Sequence, residues 1–128
     1  LCNVNKIEAI QRRAARFVFN DYSHFSSVTG MLYKLSWPTL QRRRTLLKLL
    51  LLYKIIHRIV DIPYTSYLKS TIRSSRRHNY CFQQLSVKIE AYANSFFPTA
   101  IKLWNNLCQS QVDVATVEEF RNALNFDF

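Results

Sequence analysis

Arginine is the residue type in this sequence best placed to do chemistry, because it occurs in dense clusters. The clusters read Arg12-Arg13-x-x-Arg16-Phe17, then Arg42-Arg43-Arg44, then Arg76-Arg77-His78 followed by Tyr80. A guanidinium fork makes two parallel hydrogen bonds to a phosphate, and aromatic rings stack on unpaired bases. The pattern indicates nucleic-acid backbone as the partner and carries no sequence preference. The candidate nucleic-acid-binding residues are Lys6, Arg12, Arg13, Arg16, Arg42, Arg43, Arg44, Arg73, Arg76 and Arg77.

The net charge of +10 supports that interpretation, because it is unevenly distributed. Residues 1–112 hold 17 Lys or Arg against four acids, whereas residues 113–128 hold one Arg against four acids. Such an excess favours a polyanion, either nucleic acid or an acidic membrane surface. The alternative is that the charge serves solubility alone. For each aromatic residue the alternative is a place in the core, which we favour for Phe17, Tyr53, Phe97 and Trp104.

Catalytic and metal-binding patterns are scarce. One glycine cannot build a Gly-rich phosphate loop. His78 and Cys81 have ligand-like spacing, but a structural zinc site needs four ligands, and nothing in the sequence orients His78 as a base for Cys81. Glu118 and Glu119 are better explained as charges at a helix start. We therefore expect no catalytic residue, no metal, no cofactor and no small-molecule substrate. Three widely spaced cysteines suit a reducing compartment.

The longest element that could position these residues is a helix from Thr39 to Val60, after the Trp37-Pro38 break. We expect one half of this helix to face the core, including His57, and the helix to end near Asp61 because Pro63 follows. The core-facing half comprises Leu46, Leu49, Leu50, Leu52, Tyr53, Ile56, His57, Ile59 and Val60. A second apolar line at i, i+4 spacing is the candidate partner-docking stripe, formed by Leu47, Leu51 and Ile55.

A first amphipathic helix is expected from Val4 to about Asn20. Its predicted buried arc consists of Val4, Ile7, Ile10, Ala14, Phe17 and Val18. The opposite face is basic. Glu8 is one turn from Arg12, so we expect those two to pair and to leave Lys6, Arg13 and Arg16 for phosphate.

The remaining elements are shorter. We expect a helix capped by Ser26 or Ser27, one helical turn at Tyr64 to Leu68, a basic loop from Lys69 to Arg77, and a β-hairpin between Tyr80 and Tyr92. Two more helices follow, one starting at Ser95 or Thr99 and ending near Cys108, the other starting with the capping box Thr116 to Glu119. The predicted fold is mainly α: a single small helical module over residues 1–128, built around one long central helix, with a short β-hairpin.

Four blocks of sequence together resemble a known family. They are KIEAIQRRAARFVFNDYS, SSVTGMLYKLSWPTLQRRR, LLYKIIHRIVDIP, and SFFPTAIKLWNNL followed by TVEEFRNAL. In this order they look like the C-terminal region after the polymerase domain of non-LTR (LINE-type, jockey-like) retrotransposon reverse transcriptases. The resemblance implies a fragment of a longer RNA-directed DNA polymerase, with the catalytic Tyr-x-Asp-Asp turn upstream of Leu1, and the start at Leu1 rather than methionine is in line with it.

The sequence departs from the family pattern at two places. It has Trp104-Asn105-Asn106-Leu107-Cys108 where the family often reads Trp-Asn-Ser-Leu-Pro, and Arg77 where a glycine is common. These changes are compatible with a decayed or domesticated copy of the parent element.

From the basic clusters and the resemblance together, the expected function is a non-catalytic accessory region that binds RNA or DNA backbone, in the nucleus or cytoplasm. The alternatives are a structural module that docks on the upstream polymerase domain, and a decayed relic without activity. No membrane span is expected, because the apolar run Leu46–Val60 is short and charged.

Overall fold

The computed structural model describes residues 2–71 and 78–124, with the side chain of Cys2 left out. The described helices are α1 (Cys2–Phe19), α2 (Val28–Lys34), α3 (Leu40–Ile56), α4 (Glu90–Ala93), α5 (Phe96–Trp104), α6 (Gln109–Val112) and α7 (Val117–Ala123). The mainly helical prediction is confirmed. None of these helices is both long enough and apolar enough to cross a membrane.

The described chain divides into two compact units, which we call unit 1 (residues 2–44) and unit 2 (residues 45–124). Helix α3 begins in unit 1 and continues into unit 2. The division does not test the single module predicted for residues 1–128, which stays a prediction.

Unit 1 has a small core that draws little on its aromatic residues. Ala15 of α1 is fully buried with Met31 and Leu32 of α2, and Leu35 and Trp37 pack against them. Helix α2 begins as predicted at Ser27, whose Oγ accepts a hydrogen bond from the Gly30 N–H at 3.2 Å.

The packed face of α1 is not the predicted apolar arc. Ile7, Ile10, Phe17 and Val18 of that arc are exposed, whereas Ala15 is buried. Polar side chains decide the orientation. Gln11 Nε2 donates to the carbonyl of Pro38 at 2.7 Å, and Glu8 Oε1 accepts from the Gln41 N–H at 2.9 Å. Because Glu8, Gln11 and Ala15 follow 3- and 4-residue spacing, they share one face, and that face turns inward.

Helices α1, α2 and α3 end in the same way, on a residue with a left-handed backbone that is not glycine. The residues are Asn20, Ser36 and Arg58, with φ of 48°, 53° and 55°. At each end the next N–H reaches back five residues: Asp21 to the Arg16 carbonyl, Trp37 to Leu32, and Ile59 to Lys54. This is the Schellman arrangement, which satisfies the last carbonyls of a helix.

Unit 2 is organised around α3, which buries five side chains: Leu49, Leu50, Leu52, Tyr53 and Ile55. The Tyr53 ring stacks on Phe120 of α7 with centroids 4.5 Å apart, and Phe120 lies 5.7 Å from Trp104 of α5. All three rings are buried. The core assignment was therefore correct for Tyr53 and Trp104. Phe97 is half-buried and stacks on Tyr67 at 4.4 Å.

The C-terminal part of the predicted long helix was wrong. Helix α3 ends at Ile56, because Arg58 takes a left-handed conformation and closes the helix well before Pro63. As a result His57 and Ile59 are exposed rather than in the core. The His57 ring instead contacts Tyr53, with centroids 4.1 Å apart.

The β-hairpin predicted between Tyr80 and Tyr92 is also wrong. Residues 2–71 and 78–124 contain no strand, only an isolated antiparallel bridge between Ser70 and Phe82, and α4 occupies Glu90–Ala93. The helix starts after it were predicted correctly. Helix α5 begins at Ser95, and Thr116 Oγ1 accepts from the Glu119 N–H at 3.2 Å to start α7.

Candidate nucleic-acid interface

Unit 1 is strongly cationic, and its two acids accept hydrogen bonds from backbone N–H groups. Its sequence range, residues 1–44, contains eight Lys or Arg and two acids, a balance of +6. Glu8 accepts from the N–H of Gln41 at the start of α3, where a carboxylate also complements the helix dipole. Asp21 Oδ1 accepts from the Ser23 N–H at 3.0 Å. A hydrogen bond from Ser26, then that from Ser23, lowers the pKa of Asp21.

Three of the predicted phosphate-binding residues therefore lie exposed on α1. The expected pair between Glu8 and Arg12 gives way to the Glu8 contact with Gln41. Lys6, Arg12 and Arg13 are exposed, and no salt bridge or hydrogen bond of their side chains occurs within the described part of the chain. Lys6 and Arg13 are seven residues apart and therefore share one face of the helix.

Arg16 makes contacts within the fold that the sequence did not predict, and its phosphate-binding role stays a prediction. Its Nη1 donates to the carbonyl of Ser23 at 2.8 Å and to the carbonyl of Asp21 at 3.3 Å. The guanidinium therefore fastens the loop that follows α1 to the helix, through Nη1 alone.

The second arginine cluster lies in the first turn of α3. Arg43 is exposed and Arg44 half-buried. Arg42 lies at the helix start, where its N–H donates to Thr39 Oγ1 at 3.2 Å. Positive charge is unfavourable at a helix N-terminus, and the Glu8 carboxylate on the Gln41 N–H offsets part of that cost. The third cluster, Arg73, Arg76 and Arg77, lies outside the described residues.

Exposed aromatic rings in unit 1 are the feature that the sequence reasoning missed. Five of its six aromatic side chains are exposed, namely Phe17, Phe19, Tyr22, Phe25 and Tyr33. Phe17 was assigned to the core but is 76% exposed, and Phe25 is 101% exposed. The ring of Phe19 lies 5.9 Å from Lys34 Nζ, within cation–π range. The available signal was the polar surroundings of Phe25, which follows Ser23 and His24 and precedes Ser26.

Of the three residues in the candidate docking stripe on α3, two are exposed and one is buried. Leu47 and Leu51 are 53% and 36% exposed. Ile55 is fully buried in unit 2 and cannot contact a partner, so its assignment was wrong. Burial increases along α3: residues 41–43 in its first turn are exposed, whereas all four residues of its last turn, 53–56, are buried or half-buried.

His78 and Cys81 form a buried contact that serves the fold. His78 Nδ1 accepts from the Tyr80 N–H at 3.2 Å, so Nε2 carries the ring proton and donates to the Trp104 carbonyl at 3.0 Å. Cys81 Sγ lies 3.5 Å from that protonated Nε2. Because this nitrogen has no free lone pair, the geometry does not suit a base acting on the thiol.

The segment around Cys81 is held to α5 by side chains. Asn105 Nδ2 donates to the Phe82 carbonyl at 2.7 Å, and Asn105 Oδ1 accepts from the Phe82 N–H at 2.9 Å. Trp104 Nε1 donates to the Tyr80 carbonyl at 2.9 Å. Asn105 thus offers Phe82 the donor and acceptor that a partner strand would have provided.

Other chemistry in the described residues is limited. A cleft of about 440 Å³ in unit 2 is lined by residues that include Tyr64, Tyr80 and Trp104. A hydrogen bond from Ser110, then one from the Gln111 backbone, lowers the pKa of the exposed Cys108 thiol. Within residues 2–71 and 78–124 no three His, Cys, Asp or Glu side chains gather as metal ligands would.

Comparison of the chain with protein-family models, with curated proteins and with solved structures found no match in any of the three.

Proposed function

We propose that this chain is a non-catalytic nucleic-acid-binding module that contacts RNA or DNA backbone through the cations of unit 1. The resemblance to the region after the polymerase domain of non-LTR retrotransposon reverse transcriptases makes it, in this proposal, an accessory part of an RNA-directed DNA polymerase. Its place of action would be the nucleus or cytoplasm, and its other partner the polymerase domain of the same parent chain.

The observation that carries the proposal is that Glu8 is withdrawn from the basic face of α1. Its carboxylate binds the start of α3, and Lys6, Arg12 and Arg13 stay exposed without an acidic partner in the described structure. Cations along one helix repel each other, and the negative charge of a polyanion offsets that repulsion. Binding is favoured further because the polyanion releases its condensed counterions.

The test is the salt dependence of binding to a 20-base-pair duplex and to a single strand of equal length. Each phosphate contact adds roughly 0.9 to the slope of log affinity against log salt for duplex DNA, and roughly 0.7 for a single strand. The double variant Arg12→Ala/Arg13→Ala should flatten the duplex slope by about 1.8 if both side chains contact phosphate.

The matched control removes the same charge from unit 2. Lys88 and Lys102 are exposed, and Lys88→Ala/Lys102→Ala lowers the net charge equally. This pair should leave the slope nearly unchanged. Equal flattening by both double variants would show that overall charge, rather than the face of α1, attracts the nucleic acid, and a flat response of the unmodified chain would end the proposal.

A second candidate function is docking on a polymerase domain through Leu47 and Leu51, which are exposed apolar side chains on α3. Changing both to Gln should leave the isolated chain folded, because neither is buried. If the docking role is correct, the same change abolishes association with the parent polymerase domain, whereas unchanged association excludes it.

A further inference from the structure

We infer that unit 1 selects unpaired nucleic acid, with bases stacking on Phe17 and Phe25 while Lys6 and Arg13 hold the phosphates. This inference rests on the proposed function and specifies its ligand. A duplex offers phosphates but no free base faces, because its bases are already stacked on each other, whereas a single strand offers both.

The face of α1 that carries Phe17 combines both kinds of contact. Lys6, Ile10, Arg13 and Phe17 follow each other at spacings of four, three and four residues, so they form one stripe. All four are exposed. The stripe is about 16 Å long at 1.5 Å per residue, with a cation at each of two turns and the Phe17 ring at its end.

Phe25 is held in the open by a network of hydrogen bonds. The Phe25 N–H donates to Ser23 Oγ at 3.2 Å, and the Ser23 N–H donates to Asp21. Arg16 fastens the same loop through the carbonyls of Asp21 and Ser23. Since the loop is already ordered, little conformational entropy is lost when a base covers the ring.

The composition of the exposed surface favours nucleic acid over a lipid surface. Five exposed aromatics in unit 1 compare with three exposed large aliphatics, Ile7, Ile10 and Val18. The rings of unit 2 provide a partial contrast, because three of its ten described aromatic side chains are exposed, namely Tyr67, Tyr80 and Tyr92, against five of six in unit 1. Exposed rings beside a charge balance of +6 complement a ligand with flat apolar faces and a negative backbone.

The experiment measures fluorescence anisotropy of the full chain with labelled oligo(dT) of 20 nucleotides and with a 20-base-pair duplex at one fixed salt concentration. Phe17→Ala and Phe25→Ala should each weaken single-strand binding at least about fivefold, the lower end of the cost of losing one base–aromatic stack. Duplex binding should change less than about twofold.

Two replacements of Phe25 separate stacking from general apolarity. Phe25→Trp keeps a flat ring and should retain single-strand binding, with the indole emission quenched on binding. Phe25→Leu keeps an apolar side chain without a ring, and should bind as weakly as Phe25→Ala. Near-normal single-strand binding by Phe25→Leu would overturn the stacking role.

The remaining outcomes distinguish the two proposals. If binding falls steeply with salt but Phe17→Ala and Phe25→Ala bind both oligonucleotides like the unmodified chain, the selection of unpaired strands is wrong and the backbone-binding proposal stands. If neither oligonucleotide binds with a salt response, both are wrong. Sedimentation with phosphatidylserine vesicles that is lost in Phe25→Ala, while oligonucleotide binding is kept, would assign the ring to a lipid surface and overturn the inference.

Discussion

Replacing Asn105 with Ala should loosen the segment that runs beside α5 without disturbing the core. The Asn105 amide is a donor to the Phe82 carbonyl and an acceptor from the Phe82 N–H, at 2.7 and 2.9 Å. The substitution removes both bonds and leaves Trp104, His78 and their mutual contact unchanged.

The expected loss in the free energy of unfolding follows from the two bonds. A neutral intramolecular hydrogen bond contributes about 0.5–1.5 kcal/mol net. Both Asn105 and Phe82 are only half-buried, so water reaches the released backbone groups and limits the penalty. We therefore expect a loss of about 1–2 kcal/mol in total. Asn105→Asp should also destabilise the protein at neutral pH, because a carboxylate keeps the acceptor for the Phe82 N–H but cannot donate to the Phe82 carbonyl.

Urea unfolding followed by tryptophan fluorescence measures this loss. The sequence has two tryptophans, Trp37 in unit 1 and Trp104 in unit 2, so a Trp37→Phe background leaves the emission of Trp104 as the reporter. With a urea slope of about 2 kcal/mol per molar, the middle of the usual range, the midpoint should fall by roughly 0.5–1 M.

The exposed Lys102 on α5 provides the control, because Lys102→Ala should change the free energy of unfolding by less than about 0.5 kcal/mol. A loss below about 0.5 kcal/mol for Asn105→Ala would refute the reasoning that this amide replaces a partner strand. A loss above about 4 kcal/mol would equally refute it, since only a collapse of the neighbouring core costs so much.

Two further predictions concern the energetics of the units. Glu8→Ala removes the acceptor for the Gln41 N–H and should destabilise unit 1 by about 1 kcal/mol in urea unfolding followed at Trp37, while Glu8→Gln keeps an acceptor and should recover part of it. Burial, then the negative charge of Glu119, raises the pKa of Tyr53 above 10.0. The stabilisation that neutral Tyr53 gives the folded state is therefore full below pH 10 and is lost as the pH rises through its pKa in the folded state. Tyr53→Phe should then lose less unfolding free energy at alkaline pH than the unmodified chain. An equal alkaline loss in both proteins would contradict this.

The sequence predicted where several helices begin more reliably than which way they face. Ser27 and Thr116 act as caps, because an oxygen followed by free amides is a local arrangement that depends on few residues. The orientation of α1 depends instead on Glu8 and Gln11 meeting backbone groups of Pro38 and Gln41 some thirty residues away. A helical wheel that counts apolar residues contains no such information.

The missed hairpin has a comparable cause. Alternating apolar residues from Tyr80 onward favour an extended chain, and residues near Phe82 do make one antiparallel bridge with Ser70. What a strand needs beyond that is a partner backbone, and here the Asn105 side chain occupies the hydrogen-bonding groups of Phe82. An alternation of apolar and polar residues does not reveal that a distant side chain will take the hydrogen bonds of a partner strand.

The candidate site was predicted in part. Exposed Lys6, Arg12 and Arg13 could be expected, because long charged side chains rarely lie buried. The structural role of Arg16 could not, since it depends on carbonyls of the loop at Asp21 and Ser23. The exposure of Phe17 follows from the unexpected orientation of α1.

The left-handed helix ends leave this protein room to become more heat resistant. The sequence has one glycine, Gly30, and it lies inside α2 rather than at a helix end. At Ser36, with φ of 53°, glycine would adopt the same backbone without the steric cost that a side chain meets there. At Arg58 the gain would be offset, because its guanidinium bonds the side chain of Tyr64. Ser36 is therefore a position where melting temperature could rise while the proposed binding face of α1 stays as it is.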